Sequence, residues 1–225
     1  MRVSVIIPTL NEAATVTRTL SLVRHAGECE LVVVDGGSKD DTFALAHAYA
    51  DIALSASRGR ARQMNAGAQA ASGDVFLFLH ADSVLPRQFT QRLQDVFADA
   101  AIVGGRFDVR LDAIGWQFRM IETLMNMRSR LSRISTGDQA IFVRCDVFQR
   151  LGGFSELELM EDIEFSQRLK RVGKLACLRD RVTTSARRWQ RDGVIRTIGL
   201  MWTLRLAYFL GVPPHQLKTF YSDTR

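Results

Sequence analysis

The chain has 225 residues, of which 47% are hydrophobic and 24% are charged, so it is long enough to bury the core of one large domain. Its three cysteines (Cys29, Cys145 and Cys177) are too few and too scattered for a disulfide framework or a metal cage, which indicates a reducing compartment. Residues 1–105 carry 9 basic and 11 acidic side chains, and residues 106–225 carry 21 and 13, so the net charge of +6 arises in the second half. That half predicts an anionic partner: a phosphorylated ligand, an acidic membrane surface or nucleic acid.

Short apolar runs alternate with amphipathic segments over residues 3–82. The first run is too brief for a signal peptide and is cut by Pro8. Thr9 or Asn11 is expected to cap the helix that follows. The alternation predicts an α/β fold with a parallel, doubly wound sheet. Strands are predicted for residues 3–7, 30–35, 51–55 and 75–79, and helices for residues 41–49, 59–71 and 86–98.

The second half of the chain shows different patterns. Residues 103–111 alternate between apolar and polar side chains, which predicts a strand exposed on one side. Residues 115–134 form a basic, methionine-rich stretch with helical character. A further strand is predicted for residues 139–143 and a further helix for residues 161–172.

The apolar run at residues 75–79 ends at His80 and Asp82, two side chains that can bind metal ions. A run of this kind predicts a strand buried on both faces, at the centre of a parallel sheet. Ligands of open α/β sheets bind just beyond the carboxyl ends of the strands. The stretch therefore predicts a ligand site, although a strand ending in a solvated loop would look similar.

A tight turn follows the strand at residues 30–35, beginning with Asp35 and Gly36 and leading to Ser38. Its backbone amides suit an anion, whereas the carboxylate of Asp35 suits a base edge or a ribose hydroxyl. A plain turn with an aspartate cap is the alternative. Neither a dinucleotide fingerprint after the first strand nor a P-loop is present.

Two helix starts carry unusual charge. Arg58, Arg60 and Arg62 open one helix, where cations oppose the helix dipole unless they share an anion such as phosphate. A solvated arginine face is the other interpretation. Glu161 and Asp162 open a later helix, where acids are favoured for structural reasons and where a general base would be held rigidly.

These segments together resemble the family 2 glycosyltransferases over roughly residues 3–190. The resemblance implies the GT-A fold, a nucleotide-diphospho-sugar transferase-like, Rossmann-like sheet that is mixed but mainly parallel. Arg58–Ala61 together with Gln63–Gly67 is similar to a small bacterial subgroup whose acceptor is uncertain. The segments that carry the resemblance are Ile6–Glu12, Val32–Thr42, Phe78–Asp82, Gly152–Phe154 and Glu161–Asp162.

The resemblance implies a donor nucleotide site. Asp82 matches the last acid of a D-x-D-type motif, which binds the divalent cation that bridges the donor diphosphate. His80 replaces the first acid of that motif; imidazole can bind Mn²⁺ but suits Mg²⁺ poorly, so dependence on a metal stays open. The implied donor-binding residues are Pro8, Thr9, Asn11, Glu12, Asp35, Gly36, Ser38, Arg58, Arg62, Asn65, His80 and Ala81.

The resemblance also implies the catalytic and acceptor residues. Asp162 matches the catalytic base, with Glu161 beside it. Gly137, Asp138 and Gln139 match a loop on the acceptor side. A basic–aromatic element near the leaving diphosphate is matched by Arg187, Arg188 and Trp189.

The expected activity is that of an inverting hexosyltransferase that moves a sugar from a nucleotide-sugar donor, by default a UDP-sugar, to a hydroxyl acceptor. A sugar-1-phosphate nucleotidyltransferase is the first alternative, but such enzymes usually carry a glycine-rich basic loop where this chain has Pro8–Glu12. A non-catalytic nucleotide-binding module is the second. Nucleic acid is not expected as a partner, because the arginines are not interleaved with a recognisable stacking platform.

The predicted domain covers residues 1–190, with a donor half at about 1–105 and an acceptor half at about 106–190. Residues 191–225 form a helical extension that packs on the domain or on a membrane surface. Residues 194–212 are mostly apolar, but Arg196 and Arg205 argue against spanning. The protein is expected in the cytoplasm, with peripheral contact to an acidic inner membrane face as one interpretation. A lipid or lipid-linked acceptor would then be more plausible.

Overall fold

The computed structural model of the protein describes residues 1–221, which contain one mixed sheet of eight strands flanked by helices. The strands are β1 Val3–Thr9, β2 Glu30–Asp35, β3 Ile52–Ser55, β4 Val75–Phe78, β5 Ser83–Val84, β6 Ile102–Asp112, β7 Phe142–Arg144 and β8 Lys174–Ser185. The helices are α1 Val16–Ala26, α2 Thr42–Tyr49, α3 Arg60–Ala70, α4 Phe89–Phe97, α5 Trp116–Ser132, α6 Cys145–Arg150, α7 Glu161–Val172, α8 Arg187–Asp192, α9 Val194–Phe209 and α10 Pro214–Phe220, with a 3-10 turn at Gly137–Gln139.

The strand order is β3-β2-β1-β4-β7-β6-β8-β5. The four strands from β3 to β4 are parallel, which confirms the α/β prediction for the first half of the chain. β7 runs antiparallel to β4 and β6, whereas β6 and β8 are parallel. The carboxyl ends of β1, β2 and β4 therefore lie at one edge of the sheet.

The core has two layers, one on each face of the sheet. Successive strand residues point to opposite faces, so Val5 and Ile7 join one layer and Ile6 joins the other. Helices α1 and α4 cover the first layer, and α3, α6 and α7 cover the second. Residues 75–79 are at most 3% exposed, which confirms that the central strand is buried on both faces.

The prediction that residues 103–111 are exposed on one side is wrong. In β6, residues 103–109 are all buried, because α5 packs over the face that carries the polar side chains. Arg106 forms an ion pair with Asp108 and donates hydrogen bonds to the Ser129 hydroxyl at 3.0 Å and the Asn126 carbonyl at 3.1 Å. These partners satisfy a guanidinium that is only 1% exposed.

Several boundaries also differ from prediction. Neither Thr9 nor Asn11 caps α1, because Thr9 extends β1 and α1 begins only at Val16. The strand predicted for residues 139–143 begins at Phe142, since Gln139 belongs to the 3-10 turn. Helix α9 ends at Phe209, before the end of the apolar stretch. The sequence interpretation did not include β5, β8 or α6.

The helices after residue 190 pack on the domain. Leu204 of α9 and Leu217 of α10 join a buried cluster with Ile134, Leu159 and Ile163. Among residues 1–221, no helix is both long and apolar enough to cross a membrane. The predicted boundary at residue 190 stays a prediction, and residues 222–225 of the extension lie outside the described residues.

Candidate active site

A cavity of about 1120 Å³ opens at the sheet edge where β1, β2 and β4 end. Asn11 from the loop after β1 lines it, together with His80 and Asp82 from the loop after β4. The opposite wall comes from α5, the start of α7, α8 and α9. The fold thus places this cavity at the carboxyl ends of parallel strands, where the sequence predicted a ligand site.

Asp82 and Arg187 meet at the floor of this cavity. Nη2 of Arg187 lies 3.1 Å from Oδ2 of Asp82 and 3.8 Å from Oε2 of Glu12. Glu12 is buried, and its Oε2 accepts a hydrogen bond from the Thr15 hydroxyl at 2.7 Å. The end of β4 is therefore joined to the start of α8 by an arginine between two carboxylates.

The 3-10 turn holds two further acids at the cavity. The backbone N–H of Gly137 donates to Oδ2 of Asp162 at 2.8 Å. Oδ1 of Asp138 lies 3.5 Å from Nδ1 of His80. Burial alone would raise the pKa of Asp138, but the hydrogen bond and charge of His80, with Arg60 and Arg205, hold that pKa below its usual value.

Position 137 requires glycine because the His80 side chain lies close to its backbone. A Cβ at this position would lie 2.6 Å from Nε2 of His80. A side chain here would displace the imidazole and with it the contact to Asp138.

The arginines at the start of α3 pair with carboxylates of the chain itself. Nε of Arg60 lies 2.8 Å from Oε1 of the buried Glu161, and Nε of Arg62 lies 2.9 Å from Oε2 of Glu156. The charge of Glu161 raises the pKa of Arg60, while burial raises the pKa of Glu161. Arg58, Arg60 and Arg62 all line the cavity. The sequence led us to expect that they share an anion, and Glu161 and Glu156 supply part of that negative charge from within the chain.

The turn after β2 is built around Asp35. Its Oδ2 accepts hydrogen bonds from the backbone N–H groups of Gly37 at 2.9 Å and Ser38 at 2.8 Å. The Ser38 hydroxyl also donates to Asp35 and accepts from the backbone N–H of Asn11 at 2.8 Å. Asp35 is only 3% exposed, so it shapes the loop that carries Asn11 into the cavity wall.

Other predicted donor residues make structural contacts outside this cavity. Asn65 exchanges two hydrogen bonds with the backbone of Phe154. The carbonyl of Ala81 accepts from the Thr19 hydroxyl at 2.6 Å. Gly36 donates its N–H to the Thr9 carbonyl at 2.9 Å. Thr9 and Gln139 are buried, and Pro8 lies beneath the site, beside His80 and Asp162.

The basic–aromatic element on α8 lines the cavity with all three of its residues, Arg187, Arg188 and Trp189. The guanidinium of Arg188 stacks on the ring of Tyr221, 3.9 Å from its centroid. Tyr221, the residue directly after α10, thus contacts α8 at the cavity wall.

Three of the five non-glycine residues with positive φ among residues 1–221 lie in the same region. Asn11, Ala140 and Met160 have φ values of 52°, 46° and 69°, a conformation that non-glycine residues rarely adopt. Each stands beside a predicted site segment: the loop after β1, the 3-10 turn and the start of α7.

Arg128 and Arg205 also line the cavity, and the sequence interpretation did not place them there. In the sequence, Arg128 falls in the basic, methionine-rich stretch of residues 115–134, and Arg205 served only as an argument against spanning a membrane. In the sequence, each of these residues is one arginine among apolar residues of a helix. Such an arginine can be assigned to a binding site only when the structure shows that both helices line the same cavity.

A divalent cation was the expected cofactor. Within the described residues, no group of three or more His, Cys, Asp or Glu side chains could hold a metal ion. Mg²⁺ in nucleotide sites is commonly bound by one or two carboxylates, substrate phosphates and water. Asp82 is partly exposed in the cavity and fits that arrangement, whereas Nδ1 of His80 faces Asp138. A metal role for either residue stays a prediction.

Comparison with solved structures gives the class of fold. The structure of S. aureus TarS 1-349 in complex with UDP-GlcNAc superposes with a TM-score of 0.66 and 20% identity, covering 82% of this chain and 58% of that chain. Another structure of S. aureus TarS 1-349 gives a TM-score of 0.67, with coverage of 83% of this chain and 61% of that chain. These likenesses confirm the GT-A fold predicted from the sequence.

The family follows from the sequence itself. The model of the family described as Glycosyl transferase family 2 matches residues 4–152. This chain belongs to that family.

Curated relatives carry the same family character. A PGL/p-HBAD biosynthesis glycosyltransferase of Mycobacterium tuberculosis is 42% identical over 91 residues, which are 36% of each chain. Glycosyltransferase AglE of Haloferax volcanii is 28% identical over 189 residues, which are 76% of this chain and 62% of the relative. The chain thus spans between about one third and three fifths of the length of these relatives.

Proposed function

We propose that the protein is an inverting glycosyltransferase that moves a sugar from a nucleotide-sugar donor, by preference a UDP-sugar, to a hydroxyl acceptor. One observation carries the proposal. A single cavity at the carboxyl edge of the sheet brings together Asp82 after β4, the arginines of α3 and α8, and Asp162 at the start of α7.

The donor diphosphate would lie near Asp82 and Arg187. Asp82 would hold a divalent cation, which supplies charge neutralisation for the departing diphosphate. Arg187 would donate hydrogen bonds to the same phosphates, where guanidinium groups bind in a bidentate manner. Their contact at 3.1 Å in the free protein keeps the two groups close to one place.

Asp162 would act as the general base. Its carboxylate would take the proton of the acceptor hydroxyl while that oxygen bonds to the anomeric carbon and the bond to the diphosphate breaks. One in-line displacement of this kind inverts the anomeric centre. The hydrogen bond from Gly137 fixes Oδ2 at 2.8 Å and thereby sets the orientation of the base.

For Glu161 we propose a positioning role. It is buried and pairs with Arg60, which itself lines the cavity. Loss of Glu161 would let the guanidinium of Arg60 leave its place beside Asp162. The segment from Arg58 to Gly67 that contains Arg60 also underlies the proposed membership of a small bacterial subgroup.

The preference for uridine rests on resemblance. TarS, which shares the fold, has been solved with UDP and with UDP-GlcNAc. A uridine nucleotide as the donor of this chain is a proposal on that basis.

Peripheral membrane contact is proposed from two exposed apolar stripes at helical spacing. The stripe on α5 and the stripe on α9 both border the cavity, since Leu124, Met127 and Trp202 line it as well. An acceptor anchored in a membrane could reach the cavity from this side. Co-sedimentation with vesicles that contain anionic lipid tests the contact, and equal recovery in the supernatant with and without vesicles would contradict it. The stripes comprise Trp116, Met120, Leu124, Met127 and Leu131 on α5, and Ile195, Trp202, Leu206 and Phe209 on α9 with Leu210 directly after it.

Donor turnover tests the proposed function. The protein would be incubated with a panel of nucleotide-sugars, Mn²⁺ or Mg²⁺, and a total lipid extract as acceptor source, and nucleoside diphosphate would be measured. Release from one donor, absent in Asp162→Asn, supports the transferase. Pyrophosphate release from a nucleoside triphosphate and a sugar-1-phosphate would instead identify a nucleotidyltransferase. Nucleotide binding without turnover would indicate a binding module.

A further inference from the structure

Two arginines of the cavity have no ion-pair partner among residues 1–221. Nε and Nη2 of Arg128 are buried and have no hydrogen-bond partner in the described part of the chain. Burial, with a smaller contribution from the charge of Arg205, lowers the pKa of Arg128 to about 10. Burial likewise lowers the pKa of Arg205. Two desolvated cations in one wall are unfavourable by themselves, which points to an anion that joins them when a ligand is bound.

Three other arginines of the wall differ in this respect. Arg60, Arg62 and Arg187 each lie within 4.0 Å of a carboxylate of the chain. The charges of Arg128 and Arg205 therefore remain for a ligand.

The neighbours of the pair place it on the acceptor side. The carboxylates that act on both arginines are Asp162 and Asp138. Asp162 is the proposed base, and Asp138 belongs to the 3-10 turn.

The wall around the pair is apolar. Leu124 and Leu131 on α5 and Ile198, Met201 and Trp202 on α9 line the same cavity as the two arginines. A ligand that fits here combines an anionic head with an apolar or amphipathic body.

We infer that Arg128 and Arg205 form a subsite for a phosphate group carried by the acceptor, beside the hydroxyl that Asp162 deprotonates. Guanidinium groups bind phosphate through paired N–H donors, and two of them suit a dianionic phosphate monoester. This inference rests on the proposed function in one respect, that the phosphorylated ligand is the acceptor. Binding of phosphate by the two arginines can be tested without that function.

The test is calorimetric titration of hexyl phosphate into the protein, with and without saturating UDP and Mn²⁺. We expect binding in both conditions, because UDP fills a different part of the cavity. The variant Arg128→Gln/Arg205→Gln should bind hexyl phosphate about 10-fold or more weakly, since each charged hydrogen bond contributes well above the thermal energy. Its affinity for UDP should change by less than about 2-fold.

A matched control removes two arginines from the same helix regions outside the cavity. Arg133 follows α5 and Arg196 lies on α9, and both are exposed. Arg133→Gln/Arg196→Gln carries the same change in net charge and should bind hexyl phosphate as the wild type does. Without ligand, the Arg128→Gln/Arg205→Gln variant should melt at a higher temperature than this control, because two desolvated like charges are gone. A merely structural role of the two arginines predicts a lower melting temperature.

Two further probes separate the sources of the phosphate. If inorganic phosphate binds as tightly as hexyl phosphate, a soluble phosphorylated acceptor is supported. Tighter binding of hexyl phosphate, with no binding of hexanol, supports a lipid phosphate. The subsite is refuted if hexyl phosphate does not bind the wild type either with or without UDP and Mn²⁺. It is also refuted if hexyl phosphate binds Arg128→Gln/Arg205→Gln as tightly as the wild type. If the double variant loses UDP instead, the arginines serve the donor and the inference is wrong. Failure of the wild type to bind UDP, with hexyl phosphate still bound, would count against the proposed function alone.

Discussion

Arg187 and Asp82 lie 105 positions apart in the chain, yet Nη2 of the arginine is 3.1 Å from Oδ2 of the aspartate. The Arg187 side chain is 57% exposed, and an ion pair so open to water contributes little to stability. The pair can therefore exchange its contact for a cation and a diphosphate at small energetic cost. This relationship links the loop after β4 to α8 and defines the proposed donor side of the cavity.

Arg187→Ala should weaken UDP binding about 10-fold, because a charged hydrogen bond to phosphate is lost. The free energy of unfolding should fall by less than about 1 kcal/mol. Calorimetric titration and urea unfolding measure the two effects. Arg150→Ala is the matched control, since Arg150 pairs with Asp146 on the surface at 3.5 Å and lies outside the cavity. Equal UDP affinity of the two variants would contradict the role of Arg187.

Asp162→Asn should reduce donor turnover about 10²–10⁴-fold, because the amide cannot accept the acceptor proton. UDP affinity should be unchanged, since Asp162 is proposed to act on the acceptor. Steady-state rates of UDP release measure the first effect. Glu158→Gln serves as control, because Glu158 is an exposed acid at the same cavity. A variant that retained wild-type turnover would remove Asp162 from the mechanism.

Glu161→Gln should lower the free energy of unfolding by about 3 kcal/mol, because the charge of Arg60 loses its buried partner. The double variant Arg60→Met/Glu161→Leu should recover much of that loss, since neither unpaired charge remains. Donor turnover by the double variant should nevertheless stay low, because turnover is proposed to need the Arg60 guanidinium at the cavity wall. Urea unfolding of Arg60→Met, Glu161→Leu and the double variant that combines them gives the coupling energy. Additive losses would show that the two side chains act independently.

Glu30 should make stability depend on acid pH. Its buried carboxylate accepts hydrogen bonds from Ser4 and Ser72 and pairs with Arg2 at 3.0 Å. Burial opposes the charge, but these partners hold the pKa of Glu30 below its usual value. The stabilisation is therefore present above the usual glutamate pKa of about 4.3. It is lost as pH falls through the lower pKa of the folded state.

Glu30→Gln should accordingly cost about 1–3 kcal/mol at pH 7 and much less at the acid end of the range. Unfolding curves from pH 7 downward measure the difference. The exposed Glu28 provides a control, and Glu28→Gln should show little effect at any pH. A difference that grows as pH falls would contradict the assignment.

Local sequence patterns were sufficient for the four parallel strands β1 to β4. The apolar runs before Asp35 and His80 could be read directly as buried strands, because every residue in them faces a core layer. β6 could not be read in this way. Its polar residues Arg106 and Asp108 are buried by the later packing of α5, and no local pattern states which helix will cover a strand.

The candidate site divides in the same way. Asp82, Asp162 and Gly137 were predicted from motifs as site residues, and the structure brings them to one cavity. The pairing of Arg60 with Glu161 was not foreseen, because it joins the starts of two helices far apart in sequence. The facing positions of Arg128 and Arg205 likewise depend on how α5 and α9 pack together, which is a property of the tertiary structure.

The most direct test of a nucleotide-sugar donor site is a thermal-shift panel of nucleoside diphosphates, each with Mn²⁺, with Mg²⁺ and without metal. A ligand that binds the native state raises its stability by RT ln(1 + [L]/Kd), so no acceptor is needed. We predict stabilisation by UDP that requires the cation, disappears in Asp82→Ala and persists in the surface control Asp146→Asn. No stabilisation by any nucleotide, with or without metal, would contradict the donor site and leave the fold without the proposed activity.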